Sequence, residues 1–256
     1  MLNLIDIQDI VAIAKEAGDA IMQIYRKDFK VEHKQDNSPL TLADKKANDI
    51  IENNLNRLLI TLPILSEEGD SIPYGERRHW EYFWLVDPLD GTKEFIKKND
   101  EFTVNIALIH KNTPVLGVVY APALNVCYWA KKGEGAFKDG ERLPINLESQ
   151  RNTYRIVVSR SHMSDDTQVF VNEIDTDKEK ELISIGSSLK ICLVAEGKAD
   201  VYPRLGPTME WDTGAAHAVA KESCKELYIL EKFNFTNVNY NKENLLNPWF
   251  VVKDKL

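Results

Sequence analysis

Residues 84–95 read WLVDPLDGTKEF. An apolar run from Phe83 to Val86 has the composition of a buried strand. It ends on Asp87, and a second acid, Asp90, follows across Pro88-Leu89 with Gly91-Thr92 behind it. Two carboxylates that close repel each other, and burying either is costly unless a partner neutralises it. Asp-Pro and Asp-Gly are also ordinary turn chemistry, because Pro presets φ and Gly takes positive φ, so the segment alone reads equally as a tight turn after a strand. Acids recur in similar places: Asp44 in a first helical turn, Glu67 after an apolar run, Asp212 at a helix start. Each has a structural alternative, with Asp44 as half of a capping box begun by Thr41, Asp212 as a helix N-cap, and Glu67-Glu68 as a solvated loop end. A partner that would neutralise them is not evident in the sequence.

The elements that must carry these acids follow from periodicity. Leu4, Ile7, Ile10, Val11, Ala14, Ala17, Ile21, Ile24 and Tyr25 recur at helical spacing, Phe29–Lys34 alternates like a short strand, and Ala47 to Leu59 continues one face of a second helix. Leu62–Ser66 reads as a strand leading to Glu67. Antiparallel strands are expected at Thr103–Ile109, Pro114–Tyr120, Val126–Lys131 and Gly135–Lys138, the last before an Asp139-Gly140 turn. Past a polar stretch at Glu148–Asn152 the pattern changes to strand Arg155–Ser159, helix Asp166–Glu173, strand Leu182–Ile185, helix Ser188–Glu196, strand Asp200–Pro203 and helix Asp212–Lys221. A boundary near residue 150 separates an N-terminal α+β half, 1–150, from an α/β half, 151–256. Lys178–Glu181 reads as a solvated charge run.

The chain has 256 residues, 43% of them hydrophobic, enough for a substantial core. A formal net charge of −8 speaks against a nucleic-acid or anionic-membrane partner, so cations for an anionic ligand must be supplied locally. Cys127, Cys192 and Cys224 form no CxxC pair and suit a reduced compartment; Asp6 and Asp9 precede any Lys or Arg, the wrong polarity for a secretory signal, and no apolar run reaches membrane-spanning length. A cytoplasmic location is expected. His33, His79, His110 and His217 show no ligand spacing, and the five tryptophans read as core or pocket wall.

SEEG (66–69), DPLDGT (87–92) and EWDTGAA (210–216), in this order and roughly these spacings, resemble the lithium-sensitive, magnesium-dependent phosphomonoesterases of the inositol monophosphatase superfamily. SRSH (159–162), GSSLKICLVAEGKADVYPR (186–204) and GPTMEWDT (206–213) are similar to its 3′(2′),5′-bisphosphate nucleotidase branch, and the likeness runs over most of the chain. The resemblance implies a layered αβαβα sugar-phosphatase fold with the site between its halves. It also implies hydrolysis of the 3′-phosphate of 3′-phosphoadenosine 5′-phosphate to give AMP, with two or three Mg²⁺ ions. On the same ground, Glu67, Asp87 and the Leu89 carbonyl hold one metal, Asp87, Asp90 and Asp212 the second, and a third lies near Glu67. Asp44 pairs with the Thr92 hydroxyl to orient and deprotonate the attacking water. The substrate contacts implied are Leu89, Asp90, Gly91, Thr92, Ser159, His162, Ser187, Lys190, Arg204 and Asp212.

Two stretches depart from the family pattern. WDTGAA exchanges the Ala and Gly positions of the usual WDTAAG, and Glu222–Asn239 lacks the usual glycine-rich turns, although NPWF (247–250) resembles the family's ending. Two other readings remain open: an inositol monophosphatase or inositol polyphosphate 1-phosphatase, and a metal-dependent phosphoanion-binding protein without turnover. A binder needs no water-activating pair, and Asp44 with Thr92 speaks against it.

Overall fold

Amphipathic helices begin the chain because its apolar residues fall on single stripes. The computed structural model describes residues 1–26, 31–33, 39–145, 152–160, 164–230 and 236–256, with the backbone alone for 31–33 and 39–41. Helix α1 (Ile7–Tyr25) is capped by Asp6, whose carboxylate accepts from Gln8 N at 2.9 Å, and it buries Ile7, Ile10, Ala14, Ala17 and Ile21 along one face. A small antiparallel pair, β1 (Val31–His33) and β2 (Pro39–Thr41), leads into α2 (Leu42–Leu55). The capping box expected from Thr41 involves a side chain outside the described residues. The helix ends short of the expected Leu59. Within NNLNR its bonds tighten, Arg57 N to Asn54 O and Leu58 N to Leu55 O, and Leu59 is left 85% exposed.

Next come β3 (Ile64–Ser66), a short α3 (Tyr74–Arg77), β4 (Tyr82–Asp90), α4 (Thr92–Ile96), β5 (Thr103–His110), β6 (Thr113–Ala121), β7 (Val126–Lys131), β8 (Gly135–Lys138) and β9 (Glu141–Arg142). β3 to β9 form one sheet in sequence order, antiparallel throughout except for the parallel β3–β4 pair. The Asp139-Gly140 turn has positive φ at both residues, as the expected hairpin requires.

The second half contains β10 (Thr153–Ser159), α5 (Asp165–Glu173), β11 (Glu179–Ile185), α6 (Leu189–Glu196), β12 (Tyr202–Arg204), α7 (Glu210–Glu222), β13 (Lys225–Ile229) and β14 (Phe250–Asp254). β10 and β11 pair in parallel, as strand-helix alternation implies, but β12, β14 and β13 are antiparallel, which that alternation did not indicate. The parallel bridge Ile156–Val201 links the two groups. The charge run Lys178–Glu181 lies mostly within β11, with Lys178 and Glu179 exposed as expected and Lys180 and Glu181 half-buried. Glu181 pairs with Arg155 Nε at 2.9 Å, and Lys180 Nζ donates to the Val171 and Asn172 carbonyls near the end of α5.

Three apolar clusters stack these elements in five layers. α1 and α2 pack on Trp84, Val86, Val104, Ile106 and Leu116 of the large sheet. Its other face, with Phe83, Leu85, Ala107 and Val119, meets α6 and α7, which in turn pack on Tyr202, Leu227 and Val252 of the smaller sheet. Ile156, Val158 and Val251, on that sheet's far face, lie against Val171 of α5.

Among the described glycines the tightest approach is at Gly117 of β6, where an added Cβ would stand 2.2 Å from the Ala215 carbonyl oxygen. At Gly214, one of the exchanged positions, the nearest atom is instead Leu85 Cδ2 at 2.9 Å, the end of a side chain that can turn. In the glycine-poor stretch Glu222–Asn239, Cys224 adopts a left-handed φ of 63° without being glycine, as does Asn241 just beyond it. Overpacking typically costs about 1–3 kcal/mol. Gly117→Ala should therefore reach or exceed the top of that range and Gly214→Ala stay near its bottom, as read by denaturant midpoints; equal losses would place the tight contact elsewhere.

Candidate active site

β4 reaches farther than its apolar run because the sheet holds it through both acids. Asp87 pairs with Asn105 and Asp90 with Thr103, so three steps on β4 match two on β5, and the extra residue forms a bulge at Pro88-Leu89. Proline is tolerated there because β3 stops pairing at Val86 and leaves no ladder bond for the missing N–H to make. Leu89 N donates to Asp87 Oδ1 at 3.1 Å, which turns the chain and leaves the other oxygen of Asp87 buried without a hydrogen-bond partner. Gly91 follows at φ 92°, with an added Cβ only 3.1 Å from the Glu101 carbonyl oxygen, and α4 starts at Thr92. The Thr92 hydroxyl has a long contact, 3.5 Å, to the Leu89 carbonyl.

Around this bulge, Glu67, Asp87 and Asp212 each bring a carboxylate oxygen within 4.8 Å of the others. Glu67 is exposed at the end of β3, its N–H bonded to Val86 O at 3.1 Å. Asp212 is the third residue of α7 rather than its N-cap, and its Oδ2 accepts from Met209 N at 2.9 Å. Burial, then the charges of Glu67, Asp90, Asp212 and Asp44, push the Asp87 carboxyl well above its ordinary value. Burial and Asp90 do the same to Asp212, against the Met209 N–H. Burial raises Asp90 too, while Lys190 and Ser188 draw it part of the way back. Asp44 is itself buried in the first turn of α2. A buried, unpartnered carboxylate oxygen amid mutually repelling all-oxygen donors fits a hard divalent cation, and Glu67, Asp87 and Asp212 are the residues that would hold it. Asp90 stands outside this trio, with Oδ2 engaged by Ser188 N at 2.5 Å.

A cavity of about 270 Å³ opens from the acids toward the second half of the chain. Glu67, Asp90, Gly91, Thr92 and Asp212 are among its lining residues, as are Ser159, Ser187, Lys190 and Arg204. Asp87 and Leu89 are buried and do not line it. Burial lowers the Lys190 pKa, and Asp90 opposes the shift. Arg204 donates from Nη2 to the Pro207 carbonyl at 2.7 Å, and its Nε is buried without a partner. Ser187 takes a left-handed φ of 48°, rare for a non-glycine residue and common at functional sites. His162 falls outside the described residues.

The sequence reading missed Ser188. It precedes α6 like a cap, but its hydroxyl is 2.9 Å from Asp90 Oδ2 and 2.6 Å from the Asp212 carbonyl, and it accepts from Asn105 Nδ2 at 3.0 Å. One buried serine thus joins β4, β5 and α7. Also missed was the role of NPWF: Asn247 donates to the Met209 carbonyl at 2.8 Å and to Thr213 Oγ1 at 3.1 Å. Thr213 accepts from Tyr240 Oη, which contacts His217 Nδ1 at 2.9 Å, and His217 Nε2 lies 2.5 Å from Glu226. A buried polar chain therefore runs along α7 to the turn that carries Asp212. Its only sequence signal was an unexplained histidine four residues past Thr213.

With this geometry the chain can be placed among known proteins. Residues 5–224 match the Inositol monophosphatase family, and the chain belongs to it. It is 46% identical over 251 residues to the 3′(2′),5′-bisphosphate nucleotidase CysQ of Salmonella typhimurium, covering 96% of this chain and 98% of that one. Among solved structures it is similar to CysQ from Bacteroides thetaiotaomicron, with 46% identity, a TM-score of 0.87, and 98% and 97% of the two chains covered. The suppressor protein suhB of Bartonella henselae shares the fold at 23% identity, with a TM-score of 0.78 over 97% and 93% of the chains. Among the described residues no helix is long and apolar enough to cross a membrane.

Two outcomes follow from the electrostatics. A cation at a hundred times its Kd should stabilise the fold by about 2.7 kcal/mol. The corresponding rise in Tm should shrink in Asp87→Asn and Asp212→Asn and persist in Asp44→Asn; a shift unaffected by Asp87→Asn would place the cation elsewhere.

The second concerns His217, whose pKa burial lowers despite its bond to Glu226. The fold keeps this ring neutral where an unfolded chain would take a proton. Its contribution is complete above the ordinary value of about 6.5 and is lost as pH falls through the folded value. Melting curves between about pH 7.5 and 5.5 should show Tm falling with acidity, and His217→Gln should flatten that slope.

Proposed function

We propose that the chain is a divalent-metal-dependent 3′(2′),5′-bisphosphate nucleotidase that removes the 3′-phosphate of 3′-phosphoadenosine 5′-phosphate, yielding AMP and phosphate, with Mg²⁺ as its natural cation. The observation that carries this reading is that one cavity is lined by both kinds of group: the acids Glu67, Asp90 and Asp212, which suit cations and a reacting phosphate, and the cationic Lys190 and Arg204, which suit a second phosphate. The 46% identity to a protein named for this activity supports it over nearly the whole chain. Location in the cytoplasm is part of the same reading.

When bound, the cations would neutralise the phosphate and lower the pKa of a nearby water. The chain's own residues do the rest. Gly91 admits the phosphate against bare backbone, and the Thr92 hydroxyl, only loosely held by Leu89 O, is available to orient the attacking water. Asp44 serves as the base behind Thr92. Asp44 takes a proton from the water as the water oxygen bonds to phosphorus in line with the departing 3′-oxygen, the ester P–O bond breaks, and the 3′-oxygen takes a proton from solvent to leave as the hydroxyl of AMP. Ser159, Ser187, Lys190 and Arg204 hold the 5′-phosphate, with His162 beside them in the same motif. Anchoring that remote group converts binding energy into orientation at the reacting phosphorus.

The discriminating measurement is phosphate release from 3′-phosphoadenosine 5′-phosphate beside inositol 1-phosphate and a small phosphomonoester lacking the second phosphate. Lys190→Ala and Arg204→Ala should each cost about 1.5–3 kcal/mol, or roughly ten- to a hundredfold in kcat/KM, on the bisphosphate and much less on the small ester. Wild-type preference for inositol 1-phosphate would move the assignment to the inositol phosphatase branch.

A further inference from the structure

Glu101 lies in the connection between α4 and β5, on the side of the molecule that carries the acids, yet its carboxylate reaches the other half. Oε1 accepts from Arg160 Nη2 at 2.7 Å, and Oε2 accepts from Arg160 Nε at 2.7 Å and from Gly186 N at 2.8 Å. Arg160 Nη2 also donates to the Ser184 carbonyl at 2.7 Å, so one guanidinium ties the ends of β10 and β11 to the large-sheet half. Paired, charge-assisted bonds of this kind fix orientation as well as distance.

What the clamp holds is the substrate end of the cavity. Arg160 directly follows Ser159, and Gly186 directly precedes Ser187, so each contact is one residue from a cavity-lining serine. Neither Glu101 nor Arg160 lines the cavity. The Gly186 loop is also seated on Glu101 itself, since a Cβ at residue 186 would stand 2.8 Å from the Glu101 carbonyl oxygen. Two residues on, Ser188 grips Asp90. Asp90, through Ser188, and Glu101, through Gly186, both tie the serine-bearing loop to the large-sheet half, and Glu101 alone also holds Arg160 beside Ser159.

We infer that Glu101, through Arg160 and Gly186, is a positioning residue for the second phosphate, and that it determines specificity for substrates with two phosphates over those with one. The inference rests on the nucleotidase reading above. A substrate with only the reacting phosphate makes no use of the second-phosphate groups and is indifferent to their placement.

The test compares kcat/KM for 3′-phosphoadenosine 5′-phosphate and for adenosine 3′-phosphate in wild type, Glu101→Gln, Arg160→Glu and the exchanged pair Glu101→Arg with Arg160→Glu. Glu101→Gln should lower kcat/KM on the bisphosphate about tenfold, chiefly through KM, and change the monophosphate by no more than about twofold. The exchanged pair should recover part of what Arg160→Glu loses, as coupled residues do. Should Glu101→Gln melt early, Arg160→Lys, which keeps the charge and loses the two-pronged contact, is read in the same way. Equal losses on both substrates, no loss on either, or no recovery in the exchanged pair overturns the inference while leaving the nucleotidase reading intact. A wild-type enzyme indifferent to the second phosphate removes that reading and the inference with it.

Discussion

Crowding of carboxylates about Asp87 is the constraint on which the rest of the structure depends. The side chain is about 1% exposed, one of its oxygens has no hydrogen-bond partner, and the acids around it raise its pKa further than burial alone would. An isolated cluster of this kind disfavours its own ionised state. Neighbouring groups hold its members apart and at fixed angles: Leu89 N on Asp87, Ser188 on Asp90, Met209 N on Asp212. Each acid is thus restrained by backbone or by a buried serine, and orientation survives without any one acid neutralising another.

That restraint explains why the site sits where the layers meet. β4 delivers Asp87 and Asp90 through its bulge, α2 delivers Asp44, and α7 brings Asp212 from the other side of the sheet. α7 is steadied from behind by the chain Glu226–His217–Tyr240–Thr213 and by Asn247, and at its start by Glu210, which accepts from Asn241 N and Lys242 N at 2.6 and 3.0 Å. Glu226, from the stretch that departs from the family pattern, and the segment from Tyr240 to Asn247 after it therefore brace the helix that carries Asp212.

Much of this was legible in the sequence, for identifiable reasons. DPLDGT states its chemistry locally, since strand end, paired acids and left-handed glycine are neighbours in the chain, and α1 and the strands from Thr103 to Lys138 follow from simple periodicity. The family resemblance of EWDTGAA marked Asp212, and the structure brings it to Glu67 and Asp87. What stayed hidden depends on tertiary approach. Ser188 looks like a helix cap, and only folding brings it against Asp90 and Asp212. Lys180 and Glu181 look solvated because their partners, the end of α5 and Arg155, are remote in sequence. β13 and β14 lie at the end of a strand-helix alternation that indicates parallel pairing, and nothing local in Phe250–Asp254 announces an antiparallel neighbour.

The contact between Gly117 and the Ala215 carbonyl has a wider consequence. Where helix and sheet usually meet, interdigitating side chains set the separation, and it drifts as those side chains change size over generations. Here main chain rests on main chain three residues past Asp212, so the gap between α7 and β6 is gauged by covalent geometry. The apolar residues around that contact are free to exchange methyl groups without moving α7 away from β6. The fold can accumulate sequence change in its interior while this gap stays constant, provided a single position never acquires a side chain.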